Sequence, residues 1–95
     1  MKKTVVLTHP TINVARLVEA AKSDIRKYLK RERRKKLPEG VDFWDFDCKF
    51  GPTADASKVI RASEITPCID EAETQQLESF YIEILAKPGH RPKKD

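Results

Sequence analysis

The sequence NVARLVEAAKSDIRKYLKRERRKK, residues 13–36, predicts one long helix with two different halves. In the first half, apolar residues recur at intervals of three and four, which lines one side of a helix and predicts packing on a core. They are Val14, Leu17, Val18, Ala21, Ile25, Tyr28 and Leu29. The second half has no apolar side, because at about 100° per residue its cations point in nearly every direction. We expect the last two turns to project past the core or to lie at its edge.

The sequence also marks where this helix begins and ends. Asn13 offers a side-chain acceptor to the free N–H groups of the first turn and is the predicted N-cap, with Thr11 as the alternative. Pro38 cannot continue a helix and Gly40 tolerates a chain reversal, so the helix should end before them.

Alternating apolar residues predict strands on both sides of the helix. The runs Thr4–Thr8, Val41–Phe50 and Ser79–Ala86 are rich in β-branched or aromatic residues with a period of two. In the second run the core side carries Trp44, Phe46, Cys48 and Phe50.

Between the last two runs the pattern is less decisive. Lys58–Ala62 contains a Val-Ile pair after a turn, which favours a strand paired back on the previous one, although the run can also begin a helix. Thr66 followed by Pro67 predicts the N-cap and first position of a second helix that ends near Gln76.

The order strand, helix, strand, strand, helix, strand predicts an α+β fold of the ferredoxin-like type. In that arrangement a four-stranded antiparallel sheet carries both helices on one face. If Lys58–Ala62 is helical, the alternative is an α+β sandwich with three strands. Ser79–Ala86 is expected at a sheet edge, where it can pair between copies.

Residues 1–86 form the predicted single domain. Residues 87–95 have two prolines, a glycine and no apolar residue, and form a predicted flexible basic tail.

The net charge of +4 conceals a strong asymmetry along the chain. Residues 1–40 hold twelve Lys and Arg against four Asp and Glu, residues 41–86 hold three against ten, and residues 87–95 hold four against one. Either the basic and acidic parts neutralise one another, within the fold or between copies, or the end of the helix meets an external polyanion.

The candidate binding residues are the cations at the end of the helix and in the tail. They are Arg26, Lys27, Lys30, Arg31, Arg33, Arg34, Lys35, Lys36, Lys87 and Arg91, with Lys93 and Lys94 as further tail members. Glu32 is the one acid between Arg26 and Lys36, so few i,i+4 pairs offset the like-charge repulsion. Phosphates suit such a cluster because neutralising them releases counterions. The pattern favours RNA or a ribonucleoprotein as partner. An acidic protein surface, the acidic face of a second copy, and a solvated surface with no partner are the alternatives.

No catalytic, metal or cofactor site is predicted, so the sequence indicates a binding module rather than an enzyme. Asp45 and Asp47 lie two residues apart on a strand and can share a cation, but that spacing is common and no third ligand follows. Cys48 falls on the core side and Cys68 on the apolar stripe of the second helix, so both are expected to be buried thiols rather than nucleophiles.

The same sequence predicts a cytoplasmic location. Two cysteines without a secretory signal favour reduced thiols, and the first apolar run is too short for a signal peptide or a membrane span.

Three strings in the chain are distinctive: ARLVEA (residues 15–20), YLKRERRKKLPEGVDFWDFDCKFG (28–51) and FYIEILAKPGHR (80–91). They resemble a small family of bacterial proteins known only as a domain of unknown function, and the resemblance runs over nearly the whole chain. It implies a stand-alone bacterial cytoplasmic protein and brings with it no activity, cofactor or catalytic residue.

Overall fold

The structure, a computed structural model, describes residues 1–91 of the chain. Its strands are β1 (Lys2–Val6), β2 (Phe43–Gly51), β3 (Lys58–Ile60) and β4 (Ser79–Gly89), and its helices are α1 (Val14–Arg33) and α2 (Ile65–Thr74). A short 3-10 helix, Ala62–Glu64, leads into α2.

The four strands form one antiparallel sheet in the order β1-β4-β2-β3. The α+β class, the four-stranded antiparallel sheet and the two helices are confirmed, and the three-stranded alternative is wrong. The ferredoxin-like strand order is not confirmed. β4 lies in the centre of the sheet instead of at its edge, because its side chains Phe80, Ile82 and Ile84 are completely buried. β1 carries Lys2 and Lys3 and occupies an edge, where lysine stays in water.

One hydrophobic core lies between the two helices and the inner face of the sheet. The helices contribute Val18, Ala21, Ile25, Leu29, Ile65, Ile69 and Ala72, and the sheet side contributes Leu7, Phe46, Cys48, Phe80, Ile82 and Ile84. This core confirms the apolar stripe predicted for the first half of α1, except for Val14, which is 42% exposed. It also confirms the alternation predicted for β2. Each fully buried large aliphatic or aromatic side chain contributes about 1.5–3 kcal/mol.

Helix α1 begins as predicted and ends earlier. The Asn13 side-chain oxygen accepts a hydrogen bond of 3.0 Å from the Arg16 N–H, which confirms the N-cap. The helix stops at Arg33, three residues before the predicted end at Lys36. Between Leu29 and the predicted end at Lys36 the sequence has no apolar side chain for the core, and the last turn tightens through i,i+3 backbone bonds.

The segment between β3 and α2 combines both interpretations of Lys58–Ala62. β3 takes only its first three residues, and the 3-10 helix follows after Arg61. Thr66 is not an N-cap, because it lies inside α2. The start of the 3-10 helix is stabilised instead by the Glu64 carboxylate, which accepts a bond of 3.0 Å from the Arg61 N–H.

The predicted boundary between domain and tail also lies elsewhere. β4 continues through Lys87, Pro88 and Gly89, since β2 provides paired partners as far as Phe43. The Arg91 N–H then donates a 2.7 Å hydrogen bond to an Asp42 carboxylate oxygen. Residues 92–95 of the predicted tail, with Lys93 and Lys94, lie outside the described residues.

Gly51 gives a direct test of the β2–β3 hairpin. A Cβ at this position would lie 2.6 Å from the Ala56 carbonyl oxygen and 2.6 Å from the Ser57 Cα, both backbone atoms that cannot rotate away. We expect Gly51→Ala to lower the free energy of unfolding by about 1–3 kcal/mol, measured by urea denaturation followed by circular dichroism. Gly40→Asn is the control, because space is open at Gly40 and asparagine tolerates its positive φ. Equal stability of the two variants would contradict the packing described.

Candidate nucleic-acid interface

The end of α1 lies on a part of the sheet that only two strands build. β2 pairs with β3 through residues 48–50. β4 pairs with β1 through residues 79–83, with flanking backbone bonds at Glu78 and Ile84. Beyond these pairs, β2 and β4 continue as a two-stranded ladder, with Phe43–Asp47 of β2 opposite Leu85–Gly89 of β4. We call this part of the sheet the ladder extension. The basic end, residues 26–36, contacts its inner side and has Glu32 as the last buried residue of the helix.

Aromatic side chains support the basic end. The Arg33 guanidinium carbon lies 5.4 Å from the centre of the Phe46 ring, and the Arg31 guanidinium carbon lies 5.6 Å from the centre of the Tyr28 ring. Such cation–π contacts contribute about 0.5–1 kcal/mol at exposed sites. Beyond the helix, the Trp44 indole N–H donates a 2.9 Å hydrogen bond to the Lys35 carbonyl oxygen. These contacts fix the backbone of the basic end while leaving its cations at the surface.

Ion pairing within the basic end is sparse. Glu32 and Lys35 form one ion pair with a distance of 2.9 Å between the carboxylate oxygen and Nζ. Within residues 1–91, the other seven predicted cations of this stretch have no carboxylate within 4.0 Å. They are Arg26, Lys27, Lys30, Arg31, Arg33, Arg34 and Lys36. The basic end therefore presents a positive surface that the described acids do not neutralise by direct contact.

Most ion pairs among residues 1–91 involve lysines outside the basic end. Lys22 contacts both Asp70 of α2 and Glu19 of its own helix, and the hydrogen bond to Asp70 raises the pKa of Lys22. Lys2 of β1 lies 3.9 Å from Glu83 of β4. The charge asymmetry left two alternatives open. Neutralisation within the fold therefore occurs, mainly through lysines outside the basic end and with Lys35 as the exception within it.

Lys87 is separated from the basic end by the sheet. Its Nζ lies 2.6 Å from an Asp47 oxygen and 3.9 Å from an Asp45 oxygen on the outer face. The hydrogen bond that Lys87 donates to Asp47 raises the pKa of Lys87. The lysine thus takes the position between two carboxylates that a metal would need, and residues 1–91 contain no group of three or more possible metal ligands. Arg91 is exposed, and its backbone N–H bonds Asp42.

Neither cysteine has the surroundings of a nucleophile. Cys48 is buried, and burial raises the pKa of its thiol. Cys68 is half-buried rather than buried, and its thiol pKa is raised by desolvation and then by the charges of Glu64 and Glu71. Its place in the first turn of α2 therefore does not produce a thiolate at neutral pH.

The structure adds one cation that the sequence analysis missed. Lys3 of β1 shares an open depression of about 460 Å³ with Lys27 and Arg31 of the basic end. Asp24 and Tyr28 also line this depression. The start of β1 lies beside the end of α1 because the chain reverses direction between them. No local sequence signal predicts this proximity.

The fold and this surface define a small α+β protein with an open antiparallel sheet and a cationic helix end. The chain belongs to a family described as "Family of unknown function (DUF6172)", whose model matches residues 1–95. This confirms the predicted resemblance to a family of unknown function. Comparisons with curated proteins and with solved structures found no match. Neither helix of residues 1–91 has the length and apolar character needed to cross a membrane.

The hydrogen bond between the Trp44 indole and the Lys35 carbonyl oxygen can be tested without changing any charge. Trp44→Phe keeps an aromatic ring but removes the donor to the Lys35 carbonyl. We expect the free energy of unfolding to fall by about 0.5 kcal/mol, the lower end for a hydrogen bond because this one is exposed. Circular dichroism is the suitable probe, since Trp44 is the one tryptophan of the chain. Amide exchange in residues 34–37 should also accelerate. Unchanged amide exchange in residues 34–37 would contradict the conclusion that the Trp44 hydrogen bond fixes the backbone of this segment.

Proposed function

We propose that this protein is a non-enzymatic binding protein that attaches to RNA or a ribonucleoprotein through the basic end of α1. The observation that carries the proposal is the group of seven cations without a carboxylate contact within residues 1–91. Their mutual repulsion disfavours the helix end unless an external anion offsets it. The favourable interaction of cations with a helix C-terminus, about 0.3–1 kcal/mol each, offsets only part of that cost.

The arrangement of these cations suits phosphates better than bases. Lys27, Lys30 and Arg34 project from the side of α1 opposite the buried Ile25 and Leu29, because residues follow one another at about 100°. Arg31 lies on the same side, whereas Arg26 and Arg33 lie on the flanks of the basic end. A positive surface that wraps around a helix can contact phosphates from several directions, and phosphate contacts carry no sequence information. The expected binding is salt-dependent and weakly sequence-selective.

An acidic protein surface is the competing partner, and a second copy of this chain is its simplest source. The carboxylates offered by such a copy, Asp45 and Asp47, already contact Lys87. Docking the basic end there would compete with an existing ion pair, whereas RNA phosphates bring no such competition. This comparison favours RNA.

Binding is tested by fluorescence anisotropy of a labelled mixed-sequence RNA with nuclease-treated protein at several salt concentrations. We expect the affinity to fall with salt, with a log–log slope of magnitude about 4 or more. The triple variant Lys27→Glu, Lys30→Glu and Arg34→Glu should reduce affinity at low salt by about a hundredfold, since several phosphate contacts are lost. It should keep the melting temperature within a few degrees, because these side chains are exposed.

A matched control separates local contact from net charge. Lys49→Glu, Lys58→Glu and Arg61→Glu also change exposed cations, and either triple lowers the formal net charge of +4 by six. The control should retain most of the affinity, because these three residues lie outside the basic end. Equal losses in the two triples would point to nonspecific attraction, and an absence of binding at low salt would refute the proposal.

A further inference from the structure

The outer edge of β1 is the starting observation. The Leu7 N–H bonds the Glu78 carbonyl oxygen at 2.7 Å, and the Ile84 N–H bonds the Met1 carbonyl oxygen at 2.7 Å. These bonds show that odd residues of the first segment turn their backbone groups toward β4. In an antiparallel pair the alternate residues turn theirs the other way. The backbone groups of Lys2, Thr4 and Val6 therefore point away from the sheet, and the hydrogen bonds recorded among residues 1–91 give them no partner.

The other strand edges are each interrupted or short, whereas the protection of β1 is limited to the charges of Lys2 and Lys3. On the open side of β2, the Phe46 N–H is occupied by the Asp45 carboxylate at 2.8 Å. On the open side of β4, Pro88 has no N–H to offer, and proline is typical of such edges. β3 is only three residues long. β1 is thus the edge best able to accept another strand.

We propose that β1 pairs antiparallel with β1 of a second copy, about a twofold axis at Thr4, and joins the two sheets into one of eight strands. In this register Thr4 faces Thr4 of the second copy, and Lys2 faces Val6. All three even residues then form hydrogen-bonded pairs. The interface is isologous, the commonest type in symmetric dimers.

Charge selects this register over its neighbours. A shift of two residues toward the start of the strand would place Lys3 opposite Lys3 of the second copy, and like charges directly opposite destabilise a sheet. A shift in the other direction pairs only Thr4–Val6 and loses hydrogen bonds. In the proposed register Lys3 faces Val5, and its methylene groups can cover that half-buried side chain.

The helix side of β1 is also open to a second copy. An apolar groove of about 150 Å³ runs between β1 and α1 and is lined by Val5, Leu17, Ala20 and Ala21 among others. Ala20 is exposed on the flank of α1 and is small enough to permit close approach of the second α1. Val6 is 56% exposed on the outer face and would be covered by Lys2 of the second copy.

The dimer would place the two basic ends far apart. The end of α1 lies beside Met1, and a twofold axis at Thr4 brings Met1 of one copy near Leu7 of the other. Both basic ends then lie on the same face of the joined sheet, at opposite ends. This pairing does not depend on the proposed RNA binding. If both basic ends bind one RNA, however, the dimer would bind it with higher avidity than a single copy.

Sedimentation of the nuclease-treated chain in high salt tests the pairing without RNA bridges. We expect a species of twice the 10.9 kDa chain mass at high protein concentration. Thr4→Lys should raise the dissociation constant about tenfold or more, because two lysines then face each other at the axis. The control is Val59→Lys on β3, where the side chain is 78% exposed, and it should leave the dissociation constant unchanged.

Cross-linking gives an independent readout. Hydrogen-bonded antiparallel partners have Cα atoms about 5.5 Å apart, within the range for a disulfide. Thr4→Cys in a Cys68→Ser background should form a covalent dimer on mild oxidation of its two thiols by diamide, and Val59→Cys should not. A monomer at millimolar concentration would overturn the proposal. A dimer insensitive to Thr4→Lys, or equal cross-linking at both positions, would also overturn it.

Discussion

The burial of the inner face of β4 is the interaction on which the rest of the structure depends. Phe80, Ile82 and Ile84 are each 0% exposed, and both helices and both neighbouring strands meet around them. Because β4 is the last strand in the chain, β1 and β2 become part of one sheet only when it inserts between them. The fold is therefore held by contacts between residues far apart in sequence, which must overcome a large loop-closure entropy.

The candidate interface is a consequence of the same strand. β2 and β4 remain paired beyond the ends of β1 and β3, and this ladder extension presents Trp44 and Phe46 to the end of α1. Without it, the last turns of α1 would have neither an apolar surface nor a tether, and helix ends without such contacts fray. Arg33 illustrates the arrangement, because its guanidinium lies on an aromatic ring while the residue stays exposed. A long ladder thus allows a segment of like charges to remain ordered.

Much of the candidate site was predictable because its signals are local. The cap at Asn13, the apolar stripe and the run of cations all follow from residues a few positions apart. The end of β4 was not predictable in this way, because Pro88 and Gly89 normally stop a strand. In the structure Pro88 occupies an edge position that needs no N–H, and Gly89 lies under the Phe43 ring, where a Cβ would come within 2.3 Å of a ring carbon. Both residues have a role in the strand that only its neighbours explain.

The sequence by itself determined which face of each element is apolar and where the cations lie along α1, since side-chain direction repeats with a period set by local backbone geometry. The tertiary structure alone decided the strand order, because the same alternation is compatible with several orders. It also decided that Lys87 meets Asp47 and that Lys3 joins Lys27. Ion pairs and shared surfaces depend on the distance between residues that the chain separates by tens of positions, and that distance is fixed only when β4 brings the two ends of the sequence together.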